Sequence, residues 1–407
     1  MGFQQGLSGL NGAARNLEVI GNNVANASTV GFKSSRAQFA DVYANTLAGS
    51  TTGTIGIGTR VATVAQMFTQ GNITTTNNPL DVAINGEGFY RLSTNGTITF
   101  ARNGQFQLDQ NGYIVTTGGA HLTGFAADAT GAVTTGTPGD LRISKTDLSP
   151  LATTKAAAGL NLDSRATALT AAGFNLANAA TYHGATSMST YDSLGNAHTL
   201  SLYFVKTAAN SYSVFAASDG VQVGAAAVGT LAFNTDGSLN TTTTTLPFNL
   251  SIPVAGGATT PATIALDFAG STQFGTTFGV NDLTQNGYTA GKLSGFNVGP
   301  DGIILGRYSN GQTLAQGQIA LASFTNSQGL APLGNNQWAE TSTSGLPLVS
   351  APGSGVLGVL QAGAVEEANV DLTGELVNMI TAQRVYQANA QTIKTEDSLL
   401  QTIVNLR

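Results

Sequence analysis

The sequence contains no cysteine, which excludes disulfide bonds, thiol nucleophiles and cysteine metal ligands. Charged residues make up only 9% of its 407 residues, against about a quarter in a typical soluble domain. The net charge of −6 provides no basic surface of the kind that binds nucleic acid or an anionic membrane. We therefore expect neither nucleic acid nor membrane as a partner.

Long apolar runs are also missing from the sequence. No stretch approaches the roughly 18 apolar residues of a membrane-spanning helix. The N-terminus lacks the basic-then-apolar build of a cleaved secretory signal, because Arg15 is its first charged residue and Gln4, Gln5 and Asn11 interrupt the apolar positions. If the protein leaves the cell, we expect a route that does not cleave a conventional signal peptide.

The residue types of catalytic and metal sites are few and scattered. His121, His183 and His198 have no neighbours at metal-ligand spacing, so we interpret them as surface or edge-strand residues. The adjacent acids Glu366 and Glu367 precede a predicted helix, where carboxylates complement the positive end of the helix dipole. The sequence therefore predicts no catalytic residue, no metal, no cofactor and no enzyme activity.

What the sequence has in abundance is small and polar residues. It contains 51 glycines, and 42% of its residues are hydrophobic, enough to fill the cores of two or three domains. The surface must then consist largely of uncharged polar side chains, which suits a protein that packs against copies of itself. A secreted β-rich domain has a similar composition, so composition alone leaves both interpretations open.

The two ends of the chain carry matching heptad patterns, with apolar residues at alternating spacings of four and three. Such a narrow stripe is typical of a coiled-coil seam. The predicted seam, which we propose as a subunit interface, comprises Phe3, Leu7, Leu10, Ala14, Leu17, Val24, Leu372, Leu376, Met379, Gln383, Tyr386, Ala390, Ile393, Leu400 and Val404.

A helix seam usually packs into the core of its own domain. Here the turn-rich middle of the chain offers no other helices for a bundle, so we expect the two ends to pair with each other and with neighbouring copies. Gln383 and Asp397 occupy polar positions in the second seam. Either they fix the register of the helical layer or they face a water-filled channel.

The middle of the chain predicts antiparallel β-structure. Asn-Gly pairs, which favour tight hairpin turns, recur every eight to ten residues from Asn85 to Gly112. They separate predicted strands over 80–84, 89–92, 98–100, 106–108, 114–115 and 122–125. Further strands are predicted over 198–205, 212–216, 228–233 and 263–268, and a last β-rich piece over 287–360. Residues 35–47 could be helical or extended, and 48–59 are predicted to be a flexible connector or loose hairpin.

The sequence of both ends resembles the bacterial flagellar rod and hook protein family. The resemblance rests on residues 8–14 and 20–33 at the start, including the family motif residues Asn22, Asn23, Asn26, Gly31 and Phe32. It continues in 369–390 at the end and in 80–90, which is similar to the family's shared β-domain motif. The length of the chain and its segments 191–198, 203–206 and 308–311 resemble the hook members of the family.

The resemblance implies an α+β, mainly β fold with two antiparallel β-rich domains nested in the middle and terminal helices pairing as a coiled-coil-like inner domain. The implied divisions are an inner helical domain over 1–27 and 364–407 and a connector over 28–71. A middle β-domain spans 72–145 and 286–363, and an outer β-domain spans 146–285.

The function implied by the resemblance is that of a structural subunit. Many copies would polymerise into a short, curved, flexible tube that transmits torque from motor and rod to filament, outside the cell. Expected partners are the distal rod and hook–filament junction proteins, the hook cap and the type III export apparatus. A distal rod or junction protein of the same family is the nearest alternative. A secreted β-rich adhesin or glycan-active enzyme is the alternative from another class.

Overall fold

Two long helices occupy the ends of the chain in the computed structural model, which describes residues 2–42, 56–134 and 136–405, the last three without their side chains. Helix α1 spans Gly2–Ala25 and helix α2 spans Leu372–Asn405. Both heptad segments are therefore helical, as predicted, and the two helices pack against each other. Within the described residues, neither helix has the combination of length and apolar character that crossing a membrane requires.

Strands are the main regular structure of the chain between the helices, which confirms the predicted mainly-β fold. In chain order they are β1 (Ser35–Val42), β2 (Gly58–Gln66), β3 (Ile73–Thr75), β4 (Val82–Asn85), β5 (Phe89–Thr94), β6 (Thr97–Ala101), β7 (Phe106–Leu108), β8 (Ile114–Thr116), β9 (His121–Ala126), β10 (Gly139–Asp140), β11 (Lys155–Asn161), β12 (Gly184–Tyr191), β13 (Ala197–Ala208), β14 (Ser211–Ser218), β15 (Val221–Gln222), β16 (Gly229–Ala232), β17 (Phe248–Ile252), β18 (Ala262–Asp267), β19 (Gly279–Gln285), β20 (Leu293–Val298), β21 (Ile303–Tyr308), β22 (Thr313–Ile319), β23 (Leu321–Ser323), β24 (Ala331–Gly334), β25 (Gln337–Ala339), β26 (Leu348–Ser350), β27 (Val359–Ala362) and β28 (Ala364–Glu366).

Asn-Gly turns place strands where the sequence predicts them. At the turn between β5 and β6, Asn95 and Gly96 have φ angles of 51° and 86°, the left-handed values that a tight hairpin requires. The predicted strands over 80–125 correspond to β4 to β9. The sequence left open whether residues 35–47 are helical or extended. Residues 35–42 are extended and form β1. Residues 43–47, and most of the predicted connector over 48–59, lie outside the described residues.

The chain divides into two compact units. The first unit comprises Met1–Lys145, Gly295–Arg307 and Thr313–Arg407, and the second comprises Thr146–Ser294 and Tyr308–Gln312. In the described part of the first unit, a sheet of thirteen strands runs through β22, β9, β5 and β6. Its aromatic core packs Phe89 edge-to-face against Phe68 and Trp338.

The second unit contains two sheets that share one hydrophobic core. One sheet has the order β17–β18–β11–β19, and the other has the order β12–β13–β14–β15 with β16 beside β14. Leu160, Leu200, Phe204 and Ile264 are almost completely buried in that core. The alternating apolar residues of β13 therefore face the core, as the sequence pattern predicts. The division into an inner helical domain, a connector, a middle β-domain and an outer β-domain, with boundaries after residues 27, 71, 145, 285 and 363, stays a prediction.

The start of α2 is set by Asp371. Its side-chain Oδ1 accepts a hydrogen bond from the amide of Thr373 at 3.1 Å, and its carbonyl accepts one from the amide of Glu375 at 2.9 Å. Glu375 lies in the first turn, where a carboxylate complements the helix dipole. The side chain of Asp371 therefore caps α2.

Candidate assembly interface and its anchoring junction

The two helices approach each other along a face of small residues on α1. A Cβ atom added at Gly6 would lie 3.1 Å from Cγ1 of Ile393, and one added at Gly9 would lie 2.6 Å from Oδ1 of Asn389. Asn23, near the other end of α1, donates to Glu375 at 3.2 Å, so the two helices run antiparallel. The missing side chains allow this close approach, and the contact face differs from most of the predicted seam.

The largest side chains of the predicted seam remain exposed in the single chain. Leu376 is 45% exposed and Leu400 is 55% exposed. The other exposed members are Phe3, Leu7, Leu372, Gln383 and Tyr386, and the half-buried members are Leu10, Ala14, Leu17, Val24, Met379, Ala390 and Ile393. The side chain of Val404 lies outside the described residues. Assignment of the seam to contacts between copies therefore stays a proposal.

A groove of about 890 Å³ lies between the two helices and the β1–β2 hairpin. Val19 and Ile20 of α1, Phe39 of β1 and Val385 of α2 line its apolar part. The hairpin packs closely on α1, because a Cβ at Gly12 would lie 3.4 Å from the Phe39 ring and from the Thr59 methyl group. The sequence predicted neither the groove nor this hairpin contact.

Three charged side chains form a fully buried cluster, which we name the junction cluster: Lys33, Arg102 and Glu366. Lys33 Nζ lies 2.6 Å from Glu366 Oε1, and Arg102 Nη1 lies 3.2 Å from Glu366 Oε2. All three side chains are at most 1% exposed. One carboxylate therefore bridges two cations from distant parts of the chain, in a site without bulk water.

Backbone groups provide further partners to the junction cluster. Lys33 Nζ also donates to the carbonyl of Thr69 at 2.8 Å, and the amide of Gly71 donates to Glu366 Oε1 at 2.9 Å. Arg102 Nη2 donates to the carbonyl of Gly86 at 2.8 Å. Burial lowers the pKa of Lys33, and the charge of Glu366 opposes that shift. The carboxylate of Glu366 therefore favours the charged form of Lys33.

The sequence-based interpretation of Glu366 as a helix-dipole partner is wrong. Glu366 ends β28, and α2 begins only at Leu372. Its neighbour Glu367, which follows the last residue of β28, is exposed. Two adjacent identical residues therefore have different environments, which their sequence positions alone do not reveal.

The family motif residues build the connection between α1 and the junction cluster. The buried Asn23 donates to the carbonyl of Ser35 and accepts from its amide, both at 2.8 Å. Asn26 Nδ2 donates to the carbonyl of Asn22 at 2.9 Å, and the amide of Phe32 donates to the carbonyl of Thr29 at 3.2 Å. These bonds turn the chain sharply from α1 into β1.

Gly31 occupies the tightest point of this turn. Its φ angle is +71°, and a Cβ atom would lie 2.6 Å from the backbone nitrogen of Asn103. Its amide donates to the carbonyl of Glu366 at 2.8 Å. Glycine is therefore required both for the backbone angle and for the space.

Asn369 ties the chain that leads into α2 to the chain that leaves α1. Its Oδ1 accepts from the amide of Ser34 at 2.7 Å, and its Nδ2 donates to the carbonyl of Met67 at 2.6 Å. Sequence reasoning missed this role of Asn369 and missed the junction cluster altogether. The one available signal was Lys33, a charged residue at the end of the family motif in a sequence with few charges.

The histidines lie in or beside strands and bind nearby polar groups. His121 Nδ1 lies 2.8 Å from Asp140, and His183 Nε2 lies 2.8 Å from the carbonyl of Thr167. His198 Nδ1 lies 2.7 Å from Asp219 Oδ2. Across the described ranges, no three His, Asp or Glu side chains are grouped as metal ligands.

An aromatic cluster in the second unit is a further feature that sequence reasoning missed. Phe174 stacks on Phe215 with ring centroids 4.2 Å apart, and Tyr182 packs edge-to-face on Tyr203 at 5.0 Å. The rings pack on one another, which holds the loop before β12 on the sheet.

Comparison with known proteins accounts for the whole chain. It is 44% identical over 415 residues to the flagellar hook protein FlgE of Escherichia coli, covering all of both chains. The chain belongs to the flagellar hook protein family. The hook protein of Salmonella typhimurium is 43% identical, again over all of both chains. That of Borreliella burgdorferi is 32% identical over 99% of this chain and 98% of its own.

Models of four segments of the hook and rod proteins match in chain order. They are the flagella basal body rod protein (residues 3–33), the hook protein FlgE/F/G D1 domain (83–147), the basal body protein FlaE D2 domain (161–288) and the basal body rod FlgEFG protein C-terminal segment (361–406). Lys33, Arg102 and Glu366 fall in three different segments. The junction cluster therefore joins three parts of the hook protein architecture.

The fold agrees with a solved hook protein structure. The crystal structure of Helicobacter pylori flagellar hook protein FlgE2 aligns with a TM-score of 0.54 at 13% identity. The alignment covers 71% of this chain and 99% of that one. At this identity the likeness concerns the fold.

Proposed function

We propose that this chain polymerises into the flagellar hook, a short, curved, flexible tube that transmits torque from motor and rod to filament. The observation that carries the proposal is the exposure of large apolar seam residues such as Leu376 and Leu400 on helices whose contact with each other uses other residues. Exposed large apolar side chains that recur along a helix are typical of protein interfaces. In this proposal the seam residues listed above pack against neighbouring copies in the inner layer of the tube.

The remaining predictions complete the proposed function. The chain acts as a structural subunit and not as an enzyme, with the four-part division given above. Its direct partners are further copies, the distal rod and hook–filament junction proteins, the hook cap and the type III export apparatus. It lies outside the cell after export without a cleaved signal peptide. Membership of a family of structural hook proteins supports these assignments.

The surface composition supports a tube whose outer contacts slide during bending. Only 9% of residues are charged, so few fixed ion pairs would have to break as subunits move past one another. In the part of the chain that the structure describes, the fully buried ion pairs lie instead in the junction cluster, within one chain. Polar, uncharged contacts between copies can therefore exchange at low cost.

Substitution of Leu376 by Glu tests the seam. Burying a carboxylate in an apolar helix interface without a partner is strongly unfavourable, so we expect the L376E protein to remain monomeric where the unmodified chain forms tubes. The matched control is Gln391→Glu, which adds the same charge at an exposed position of α2 outside the predicted seam.

Sedimentation and electron microscopy measure the assembly of both variants. The chain has a single tryptophan, Trp338, which is buried in the first unit, so its fluorescence reports whether that unit is folded. Normal tubes from L376E, or equal loss of tubes in the Q391E control, would contradict the assignment of the seam.

A further inference from the structure

The sequence contains seven Asn-Gly dipeptides, which share a reactive arrangement of atoms. In each, the amide nitrogen of the glycine can attack the side-chain carbonyl of the asparagine if both groups are free to meet. The glycine offers no side chain to hinder the approach. Whether a particular dipeptide reacts is therefore decided by the folded structure around it.

Six of the seven dipeptides are held by hydrogen bonds or by a helix. At 310–311, the glycine amide donates to the carbonyl of Tyr308 at 3.0 Å and the asparagine Nδ2 donates to the carbonyl of Thr289 at 2.7 Å. At 85–86, the glycine amide donates to Gln70 Oε1 at 2.9 Å. Asn11–Gly12 lies within α1, and Asn103–Gly104, Asn111–Gly112 and Asn286–Gly287 have a bonded asparagine oxygen or a bonded glycine amide.

Asn95 and Gly96, at the tip of the β5–β6 hairpin, are different. Both residues are exposed, and a Cβ atom at Gly96 would meet no atom within 4 Å. Among the described residues, no hydrogen bond reaches the side chain of Asn95 or the amide of Gly96. The strand pairing ends at Thr94 and Thr97, so the peptide between Asn95 and Gly96 can rotate without breaking it.

We propose that Asn95 is a site of spontaneous covalent modification, at which the side-chain amide is lost and aspartate and isoaspartate form. The amide nitrogen of Gly96 bonds to Cγ of Asn95, the bond from Cγ to the side-chain nitrogen breaks, and ammonia leaves with the proton of the Gly96 amide. Water then opens the resulting cyclic imide at either carbonyl. This inference does not depend on the proposed function.

The product changes the hairpin tip in two ways. Either product adds a negative charge where the chain has only uncharged residues from Thr94 to Thr97. Isoaspartate also adds a methylene to the backbone, which no longer fits the two-residue turn between β5 and β6. In a long-lived protein the fraction of molecules modified at Asn95 would therefore increase with time.

Peptide mass spectrometry of the full-length folded protein, aged in neutral buffer, tests the proposal with the other six dipeptides as internal controls. We expect Asn95 to lose its amide about tenfold faster than Asn286 or Asn310, since each hydrogen bond that must open first lowers the reactive population by up to roughly that factor. In urea, which unfolds the protein, the rates of amide loss at the seven asparagines should become similar. Labelling by an isoaspartate-specific methyltransferase should locate isoaspartate at residue 95.

Two results would overturn the proposal. One is a folded protein in which Asn95 reacts no faster than Asn286 and Asn310. The other is a rate ratio that persists unchanged in urea, which would assign the difference to neighbouring sequence instead of fold. The variant Asn95→Gln should lose most of the methyltransferase label, and full retention of the label in that variant would also contradict the assignment.

Discussion

Lys33 Nζ and Glu366 Oε1 lie 2.6 Å apart, with both side chains fully buried, although 333 positions separate them in sequence. Lys33 follows α1 and Glu366 precedes α2, so this pair joins the two segments that lead to the helices. Arg102 adds the β-sheet as a third element. Buried charge therefore anchors the proposed assembly helices to the β-structure of the first unit.

Removal of the bridging charge should destabilise the first unit. We expect Glu366→Gln to lower the free energy of unfolding by roughly 3 kcal/mol or more, because it leaves two buried cations without their anion. Urea unfolding followed by the fluorescence of Trp338 measures this unit by itself. The control Glu367→Gln alters an exposed neighbour and should change stability by no more than about 0.5 kcal/mol. Equal effects of the two substitutions would show that the cluster is not stabilising.

A methyl group at Gly31 should be far less tolerable than one at another left-handed glycine. Gly31 and Gly119 both have positive φ angles, +71° and +80°, but a Cβ atom at Gly119 meets nothing within 4 Å. Gly119→Ala should therefore lower the free energy of unfolding only by the strain of a left-handed alanine, about 1–2 kcal/mol. Gly31→Ala should cost at least about 2 kcal/mol more, because the backbone of Asn103 must shift. The Trp338 urea curve measures both, and similar midpoints would argue against the close contact.

Two glycines of α1 should respond differently to the same substitution. Gly21 has open space around it, so Gly21→Ala should stabilise the helix by about 0.5–1 kcal/mol through backbone entropy. Gly9→Ala places a methyl group 2.6 Å from Asn389, and this clash should cancel the gain. Hydrogen exchange of α1 peptides measures both effects. Increased protection in both variants would mean that the side chain of Asn389 moves aside at no cost.

The hairpin between β12 and β13 should lose stability as pH rises through the titration of His198. The hydrogen bond to Asp219 raises the pKa of His198 above its usual value, aided by Asp192. Burial alone would raise the pKa of Asp192, but hydrogen bonds from Asn196, Leu194 and His198 lower it to about 2. Charged His198 therefore contributes its full stabilisation to the hairpin below the unfolded histidine pKa of 6.5. This stabilisation is lost as the pH rises through the higher pKa of His198 in the folded protein. The Asp192 contribution is lost only as the pH falls towards 2.

Hydrogen exchange of the hairpin, corrected for intrinsic rates, tests this at about pH 5.5 and about pH 8.5, on either side of the ordinary histidine pKa. The unmodified chain should be less protected at the higher pH. The His198→Gln variant should show no such difference. A pH effect that persists in this variant would assign the titration to another group.

The strands and helices of this protein could be predicted because their signals are local. The heptad spacing from Phe3 to Val24 and the Asn-Gly turns from Asn85 to Gly112 act within a few residues, and both elements formed as expected. The junction cluster could not be predicted in this way. Glu366 and Glu367 are the same residue type at adjacent positions, and only the chain that packs over β28 decides which one is buried.

The two terminal helices, the mainly-β middle and, through its motifs, the family could all be read from the amino-acid sequence alone. Tertiary structure decided which face of α1 meets α2. The heptad marks the large apolar residues, but Gly6 and Gly9 allow the closest approach of the two backbones, and Leu7 stays exposed. Periodicity records where apolar residues lie, whereas packing also depends on where side chains are absent, and only the folded chain reveals that.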